Sequence, residues 1–581
     1  MKEVTAPQTH RTQAVQLLLD YLRQERVDCI FGIPGGPIMP LYAALYDRGD
    51  IRPILTKHEG GAAFMADGYA RASGKFGVCC TTIGPGATNA LTGIAVAYAD
   101  HVPVLLLTAQ SPTHQFGRGA FQESSPAAVD IVELFRPVTK WSTMIPHPDR
   151  TADTIQQAIR TMTSGRPGPV HINLPIDFAT QRVEAEVVPS ARYRSSNRTF
   201  DRESVKEGAR LLLLARRPAI LAGQGANLSR SWHVLRSLAE RLSIPVATTL
   251  KAKGAFPEDH PLSLGVFGYC GAPRAHDFIL SAETDLVLVV GSSLGEVSSC
   301  GWDERLAKKV LLQVDIDATQ IGRNFPIHVG LPGDATTVLI ELLYQVERQL
   351  RLHPESEPRP PAPTFPVDLP GLGSLETATA SPGALKPQAV LRELRASLAR
   401  DSIVFVDNGT TRVWATRHFP VYEEGTFFVN MGMASMGYAV AGSIGAKLAR
   451  PDRTVVALVG DAAFAMNGLE VHTAVEQDLP VIWVVFNNGG HGMIYHGERM
   501  QFGGRFVSSV FREPIDVAGI AKALGARVFR VTRPGETADA IREAVACGKP
   551  AVLDVATALS ETPPIGSRVQ ALCREAATKG D

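Results

Sequence analysis

Short apolar runs that alternate with amphipathic segments extend along most of the chain. The clearest runs, Thr454–Val459 and Val481–Phe486, are rich in β-branched residues and are only six residues long. Runs of this length and composition predict buried parallel strands, because strands that are covered by helices on both faces are apolar throughout. The alternation of such strands with helices predicts an α/β fold with parallel sheets.

The alternation occurs in three successive blocks, which predicts three doubly wound domains. The blocks cover residues 1–187, 195–350 and 388–566. Residues 353–387 are rich in proline, serine and alanine, a composition typical of a linker, and residues 567–581 form a tail. A chain of 581 residues is too long for a single hydrophobic core, which agrees with several domains.

Polar residues follow two strands of the C-terminal block. The first strand ends at Gly460-Asp461 and the second ends at Asn487-Asn488. Because open α/β sheets bind ligands at the carboxyl ends of their strands, we expect these side chains in one site. Proteins typically supply a Mg²⁺ site with a carboxylate and an amide oxygen, while phosphate and water supply the other ligands. The helix predicted after Asp461 offers free N–H groups to a diphosphate. The alternative is an ordinary strand–helix loop that is capped by Asp461.

Composition narrows the range of partners. Lys plus Arg and Asp plus Glu both number 58, so no charge imbalance indicates nucleic acid or a membrane surface. The chain contains no run of 18 apolar residues, and Met1–His10 is polar, which predicts a cytoplasmic protein. The seven cysteines are scattered, as expected for reduced thiols.

At Gly460-Asp461 and Asn488 the chain resembles the thiamine diphosphate enzymes, whose signature is Gly-Asp-Gly followed by Asn-Asn after a similar interval. Ala462 replaces the second glycine, a position where the family uses backbone amides. The resemblance covers nearly the whole chain, because three such blocks are the layout of the decarboxylase and acetolactate synthase group. It implies that the metal ligands are Asp461, Asn488 and Gly490. It implies further cofactor contacts from Gly460, Asp461, Ala462, Ala463, Asn488, Gly490, Met493 and Ile494.

The same resemblance implies an activating carboxylate in the first block, which would be the pyrimidine-binding domain. The family keeps a glutamate after a strand and before a helix, and here Ile54–His58 precedes Glu59. Glu59 would hold the aminopyrimidine ring of the cofactor, and the two glycines after it predict a close backbone approach. The structural alternative is a glutamate that is favoured by the dipole of a helix N-terminus.

A second cofactor contact is implied within Asn430–Gly442 of the third, diphosphate-binding block. In relatives a bulky apolar residue here supports the folded shape of the cofactor, and this residue corresponds to Met436. The backbone at Ala434 and Met436 would contact the pyrimidine edge. The alternative is that Met436 is an ordinary core residue.

The branch of the family is indicated by Ser111–Glu123, which resembles acetolactate synthase. In those enzymes an Ala-Phe-Gln-Glu stretch lines the active site, so Phe121 and Gln122 are implied as catalytic residues. Gln122 would hydrogen-bond a substrate carbonyl, unless it is a surface loop amide.

His491 and His496 follow the metal asparagine closely, where a histidine could shuttle protons or serve only a structural role.

Departures from acetolactate synthase concern the acceptor. Ser293 stands where those enzymes carry an arginine that grips a carboxylate, and Ile176 and Gly497 replace a lysine and a tryptophan. Loss of the arginine removes a contact of roughly 1.5–3 kcal/mol. These changes favour a bulkier or non-carboxylate acceptor.

In the middle domain, Gly223-Gln-Gly225 is a weak nucleotide-binding motif, which leaves open whether this domain binds FAD.

The resemblance thus implies an enzyme dependent on thiamine diphosphate and Mg²⁺. It would decarboxylate a 2-oxo acid, most simply pyruvate, and transfer the two-carbon unit to a carbonyl acceptor. It would be a homodimer or homotetramer with active sites at the subunit interface. One alternative is a 2-oxo acid decarboxylase or acyltransferase that releases an aldehyde or acyl phosphate. Another is a catalytically inactive regulatory paralogue, which the presence of Glu59, Asp461 and Asn488 disfavours.

Overall fold

Three six-stranded parallel sheets, each flanked by helices, form the frame of the protein. The computed structural model describes residues 10–194, 199–352, 378–381 and 383–565. The predicted tail and most of the predicted linker lie outside these residues. The three doubly wound α/β domains are confirmed. No helix in the described part of the chain is long and apolar enough to cross a membrane.

The N-terminal domain contains the sheet β3-β2-β4-β5-β7-β6 and a short antiparallel pair of β1 with β8. Its strands are β1 His10–Gln13, β2 Cys29–Gly32, β3 Arg52–Leu55, β4 Gly77–Thr81, β5 Val104–Gln110, β6 Trp141–Met144, β7 Val170–Pro175 and β8 Arg182–Ala185. Its helices are α1 Ala14–Gln24, α2 Met39–Arg48, α3 Glu59–Ser73, α4 Pro85–Asn89, α5 Leu91–Ala99, α6 Ile131–Phe135, α7 Thr151–Thr163 and α8 Ile176–Ala179.

The middle domain contains the sheet β11-β10-β9-β12-β13-β14. Its strands are β9 Pro218–Ala222, β10 Val246–Thr248, β11 Ser263–Val266, β12 Leu286–Val290, β13 Val310–Asp315 and β14 Val329–Pro332. Its helices are α9 Arg202–Leu214, α10 Gln224–Leu228, α11 Trp232–Leu242, α12 Pro273–Leu280, α13 Glu304–Ala307 and α14 Ala335–Leu352.

The C-terminal domain contains the sheet β18-β17-β19-β20-β22-β21, preceded by the small pair β15-β16. Its strands are β15 Thr379–Ser381, β16 Ala384–Leu385, β17 Ile403–Val406, β18 Phe427–Val429, β19 Val455–Gly460, β20 Val481–Asn487, β21 Arg527–Val531 and β22 Ala551–Ala556. Its helices are α15 Pro387–Ser397, α16 Thr410–His418, α17 Tyr438–Ala449, α18 Asp461–Asn467, α19 Val471–Glu476, α20 Gly492–Gln501, α21 Val517–Ala523 and α22 Glu536–Cys547.

The N-terminal and C-terminal domains share one hydrophobic core, in which α3 packs against α17. The two helices approach closely, because a Cβ added to Gly68 would overlap the backbone carbonyl of Gly442. A buried polar cluster lies beside this contact. Arg71 donates from Nε to Asp67 at 2.6 Å and from Nη2 to Asp100 at 3.0 Å. The interface is therefore specified by both apolar packing and satisfied buried charges.

Asp100 fixes the C-terminal domain against the other two domains. Its carboxylate accepts hydrogen bonds from the backbone N–H groups of Met431 at 3.0 Å and Gly432 at 2.9 Å. Lys251 of the middle domain lies 2.7 Å away. Burial alone would raise the pKa of Asp100, but Lys251 and Arg71 outweigh it and hold the pKa at about 2. The segment that leads to Met436 is thus anchored by a charged group.

Candidate active site

Asp461 and Asn488 lie at the carboxyl edge of the C-terminal sheet, because β19 and β20 are neighbours. Asp461 is the first residue of α18 and is 1% exposed. Its Oδ2 accepts a hydrogen bond from the N–H of Gly489 at 2.7 Å, and its Oδ1 accepts one from Ala462 at 2.9 Å. The Oδ1 of Asn488 accepts a hydrogen bond from Gly490 at 3.2 Å. The structure therefore brings the predicted metal residues together in one loop cluster.

The electrostatics of this cluster suit a cation. Burial raises the pKa of Asp461, although backbone hydrogen bonds from Ala462 and Gly489 act against that rise. No ion pair among the described residues involves Asp461. A buried carboxylate without a cationic partner is costly, so a bound cation would stabilise it. No group of three or more His, Cys, Asp or Glu side chains in the described ranges could hold a metal ion. Besides the carboxylate of Asp461, a Mg²⁺ ion here would therefore depend on amide, carbonyl and phosphate oxygens.

The N-terminus of α16 lies across from this cluster and was not considered in the sequence-based prediction. A Cβ added to Gly492 would lie 3.0 Å from Oγ1 of Thr410 and 3.3 Å from Nδ2 of Asn488. Thr410, Thr411, Asn488 and Gly492 line one small cavity. Strands β17 and β19 are neighbours, and the chain adds its next strands on opposite sides of them, so the strand order reverses between these two strands. Open α/β sheets bind ligands at such a topological switch point. The sequence feature that could have indicated this helix N-terminus is a second strand–helix junction, in which Gly409-Thr410-Thr411 comes shortly after β17.

The segment before α17 is held in a defined turn. Ala434 has a left-handed backbone with φ of 53° and is exposed, whereas Met436 is half-buried against the shared core. The buried Asp407 accepts hydrogen bonds from the N–H groups of Gly437 at 2.9 Å and Ala439 at 2.8 Å. Burial raises the pKa of Asp407 to about 7, although these hydrogen bonds lower it. Met436 is thus placed by a rigid turn, and its contact with the cofactor stays a prediction.

Glu59 and Gln122 lie around one turn of the N-terminal domain. Glu59 is the first residue of α3, and its Oε2 accepts a hydrogen bond from Nδ2 of Asn89 at 3.0 Å. A Cβ added to Gly84 would lie 3.3 Å from the Cβ of Gln122, and one added to Gly86 would lie 3.3 Å from Oε1 of Glu59. The partner Asn89 was missed from the sequence, because nothing in the local pattern indicates that α4 ends against α3.

The site residues fall into two groups, one in the N-terminal domain and one in the C-terminal domain. No hydrogen bond or ion pair between described residues joins Glu59 or Gln122 to Asp461 or Asn488. Apolar side chains near both halves are exposed, and Phe121 is 88% exposed. Met433, Met466, Leu469 and Ile494 are also more than half exposed. Exposed apolar clusters of this kind mark interaction surfaces.

Comparison with known proteins identifies the family. Residues 12–132, 205–342 and 407–555 match the N-terminal TPP binding, central and C-terminal TPP binding domains of thiamine pyrophosphate enzymes. The probable acetolactate synthase large subunit of Methanocaldococcus jannaschii is 35% identical, with 95% of this chain and 94% of that protein aligned. The chain belongs to the thiamine pyrophosphate enzyme family.

Other relatives carry related names. The acetolactate synthase isozyme 1 large subunit of Escherichia coli is 30% identical, with 94% of each chain aligned. The mitochondrial acetolactate synthase catalytic subunit of Saccharomyces cerevisiae is 32% identical, with 93% of this chain and 80% of that protein aligned. The resemblance to the acetolactate synthase-like branch is therefore confirmed.

In this thiamine pyrophosphate enzyme the remaining candidates lie mostly on α20. Met493 is half-buried and Ile494 is 56% exposed. His491 is partly exposed, with its ring packed edge-on against Phe511. His496 is 1% exposed and burial lowers its pKa, but it lines the same small cavity as Asn488 and Thr410, so the structural role and proton shuttling both stay predictions for this histidine.

Ser293 and Gly497 lie on different domains. Gly497 is on α20, whereas Ser293 lines a cavity of about 970 Å³ between the N-terminal and middle domains, at the carboxyl ends of β9, β12 and β13. Among the described residues of this cavity, Arg166 is paired with Asp315 at 2.9 Å, and Lys251 is paired with Asp100. The described part of the cavity therefore offers the diphosphate of FAD no unpaired lysine or arginine.

Proposed function

We propose that this enzyme uses thiamine diphosphate and Mg²⁺ to decarboxylate a 2-oxo acid, with pyruvate as the donor, and transfers the two-carbon unit to a carbonyl acceptor. The observation that carries the proposal is the buried carboxylate of Asp461 beside Asn488 and the N-terminus of α16. This arrangement combines hard oxygen ligands with free backbone N–H groups, which suits a metal-bound diphosphate. The names of the relatives support the acetolactate synthase type of reaction, and a cytoplasmic location remains a prediction.

Each half of the site has a distinct task. The bound cofactor supplies an electron sink for cleavage beside the 2-oxo group. Asp461, Asn488 and the carbonyl of Gly490 would hold Mg²⁺. Glu59 would exchange a proton with the aminopyrimidine, and Gln122 would orient the substrate carbonyl. The remaining contacts to the cofactor or substrate would come from Gly460, Ala462, Ala463, Thr410, Ala434, Met436, Met493, Ile494 and Phe121. FAD in the central cavity stays a prediction.

The reaction is tested with purified protein, thiamine diphosphate, Mg²⁺ and a panel of 2-oxo acids. Release of CO₂ identifies the donor, and mass spectrometry with added aldehydes or ketones identifies the ligation product. Release of free aldehyde without ligation would support the decarboxylase alternative, and acyl phosphate formed with added phosphate would support the acyltransferase. A protein that binds the cofactor but releases no CO₂ from any donor would be the regulatory paralogue.

We further propose a homodimer or homotetramer in which Glu59 of one chain meets the cofactor held by Asp461 and Asn488 of another. The separate half-sites and the exposed apolar residues beside them support this assembly, and most homo-oligomers have closed two-fold symmetry. We expect that mixing inactive Glu59→Gln with inactive Asn488→Ala subunits restores part of the activity. Subunit exchange is verified by mass spectrometry. Exchange without recovered activity would contradict shared sites, as would a fully active monomer in light scattering.

The acceptor site is proposed to be permissive at Gly497. A Cβ added to this residue meets no heavy atom within 4 Å, so the first side-chain atom fits without disturbing α20. Gly497→Trp is expected to lower kcat/KM for large acceptors more than for small ones, while donor decarboxylation is largely retained. Adding Ser293→Arg should favour acceptors that carry a carboxylate. The ratio of kcat/KM for large over small acceptors is the measured quantity, and an unchanged ratio would remove Gly497 from the acceptor site.

A further inference from the structure

A buried carboxylate joins the two halves of the site within one chain. Glu470 follows α18, nine residues after Asp461, and is 1% exposed. Both of its oxygens accept a hydrogen bond from the N–H of Lys57 at 3.1 Å, and Oε1 also accepts one from His58 at 2.9 Å. Glu470 therefore holds the backbone of the two residues that precede Glu59.

The carboxylate of Glu470 is itself fixed in place. The hydroxyl of Thr473 donates a hydrogen bond to Oε2 at 2.8 Å. Burial raises the pKa of Glu470, while the hydrogen bonds from Thr473, Lys57 and His58 lower it. A buried acceptor with this many donors has a single favourable position, and its removal would leave backbone N–H groups unsatisfied.

The glycines after Glu59 include one that makes room for this carboxylate. A Cβ added to Gly61 would overlap the carboxylate of Glu470, while the backbone of Gly61 is ordinary helix that alanine also adopts. The sequence predicts a close backbone approach at these glycines. At Gly61 the structure places a side chain from the C-terminal domain.

We propose that Glu470 is a positioning residue for Glu59, which it fixes through the backbone of Lys57 and His58. The inference rests on the proposed function. If active sites are shared between chains, Glu470 and Asp461 of one chain act on different active sites. Glu470 belongs by sequence to the segment that carries Asp461, yet it acts on the site that Glu59 of its own chain completes. That site uses the metal ligands of the other chain.

Kinetics separate this role from general stability. Glu470→Ala is expected to lower kcat by about 10²-fold, the cost of a misplacement of about 1 Å in a catalytic group. The affinity for thiamine diphosphate and Mg²⁺ in calorimetry should be largely unchanged, because Asp461 and Asn488 are intact. Glu59→Gln/Glu470→Ala should turn over no more slowly than Glu59→Gln, since both changes act through one group. A double variant that is slower than Glu59→Gln by the full factor measured for Glu470→Ala alone would overturn the proposal.

Two further variants guard against a folding defect. Glu470→Gln keeps an oxygen acceptor for Lys57 and His58 and can direct its amide to Thr473, so we expect partial rescue. Glu476→Ala is the matched control, because Glu476 pairs with the ammonium of Lys57 and with His472 from an exposed position and contacts no backbone N–H of Lys57 or His58. This control should retain wild-type kinetics. A Glu470→Gln variant as slow as Glu470→Ala would contradict positioning by hydrogen bonds.

The contact can also be tested without cofactor. Gly61→Ala alone should lower the Tm of the apoprotein, because its methyl group meets the carboxylate of Glu470. In the Glu470→Ala background the same change should cost less, since the space has been vacated. Equal losses in the two backgrounds would show that the contact does not form.

Subunit mixing provides the sharpest test. Glu470→Ala mixed with Asn488→Ala should regain activity, because one site then combines an intact Glu59 segment with intact metal ligands. Glu470→Ala mixed with Glu59→Gln should regain none. Recovery of activity with Glu59→Gln, but not with Asn488→Ala, would overturn the inference. The Glu59→Gln and Asn488→Ala mixture serves as the control, because its failure would overturn the shared-site proposal instead.

Discussion

Asp461→Ala is expected to abolish the Mg²⁺-dependent binding of thiamine diphosphate. The carboxylate is the only acidic side chain proposed to contact the metal, and alanine offers Mg²⁺ no ligand. Loss of a residue that merely supports a metal ligand costs about 10–100-fold in affinity, so loss of the ligand itself should exceed this range. Calorimetric titration of the apoprotein with thiamine diphosphate, with and without Mg²⁺, measures the effect.

A surface aspartate supplies the matched control for Asp461. Asp478 lies in the turn after α19 with 70% of its side chain exposed, where it pairs with Lys549. Asp478→Ala should bind the cofactor as the wild type does. Asp461→Ala also removes the acceptor for the N–H of Gly489, so circular dichroism must confirm that the variant is folded. A folded Asp461→Ala protein with unchanged affinity would remove this residue from the site.

Glu59→Gln is expected to retain cofactor binding and to lose most of the activity. Glutamine has nearly the same shape but cannot exchange a proton with the aminopyrimidine. A positioned acid–base group contributes about 10²–10⁴-fold, so kcat should fall by at least that range. Single-turnover kinetics with saturating cofactor measure the loss, and calorimetry shows whether the affinity is preserved.

The environment of Glu59 makes this substitution conservative in structure. Asn89 donates to Oε2 of Glu59, and the amide of glutamine can present an oxygen to the same donor. Glu133→Gln, at an exposed residue of the same domain that pairs with Arg136, is the matched control and should behave as the wild type. Near-normal turnover of Glu59→Gln would refute the assigned role of this carboxylate in the cofactor site.

Much of the fold is encoded in local patterns. The β-branched runs at Val455–Gly460 and Val481–Asn487 are indeed neighbouring parallel strands, because a strand that is apolar on both faces can be stable only inside a sheet covered by helices. The predicted domain limits depend on weaker local signals than the strands do. The pair β15-β16 lies within the segment predicted as a linker, since strands of two or three residues carry little periodic signal.

The site was predictable where its residues follow strands directly. Asp461 and Asn488 each stand at a strand end, and adjacent strands of one sheet bring such residues together. Thr410 stands at an equivalent strand–helix junction, but its approach to Asn488 depends on the order of strands in the sheet. His496 has a spacing that suggests a place near the reaction, and the structure buries it on α20 against the same small cavity as Asn488, an orientation that packing of the helix decides.

The sequence by itself determined the three α/β domains and the resemblance of Glu59, Asp461 and Asn488 to a cofactor site, because strand ends and helix starts are short-range properties. Only the tertiary structure decided which distant residues support them. Asn89 reaches Glu59 because α4 ends against α3. Glu470 reaches Lys57 because α3 and α17 bury one common apolar surface, which brings residues more than 400 positions apart within hydrogen-bond distance.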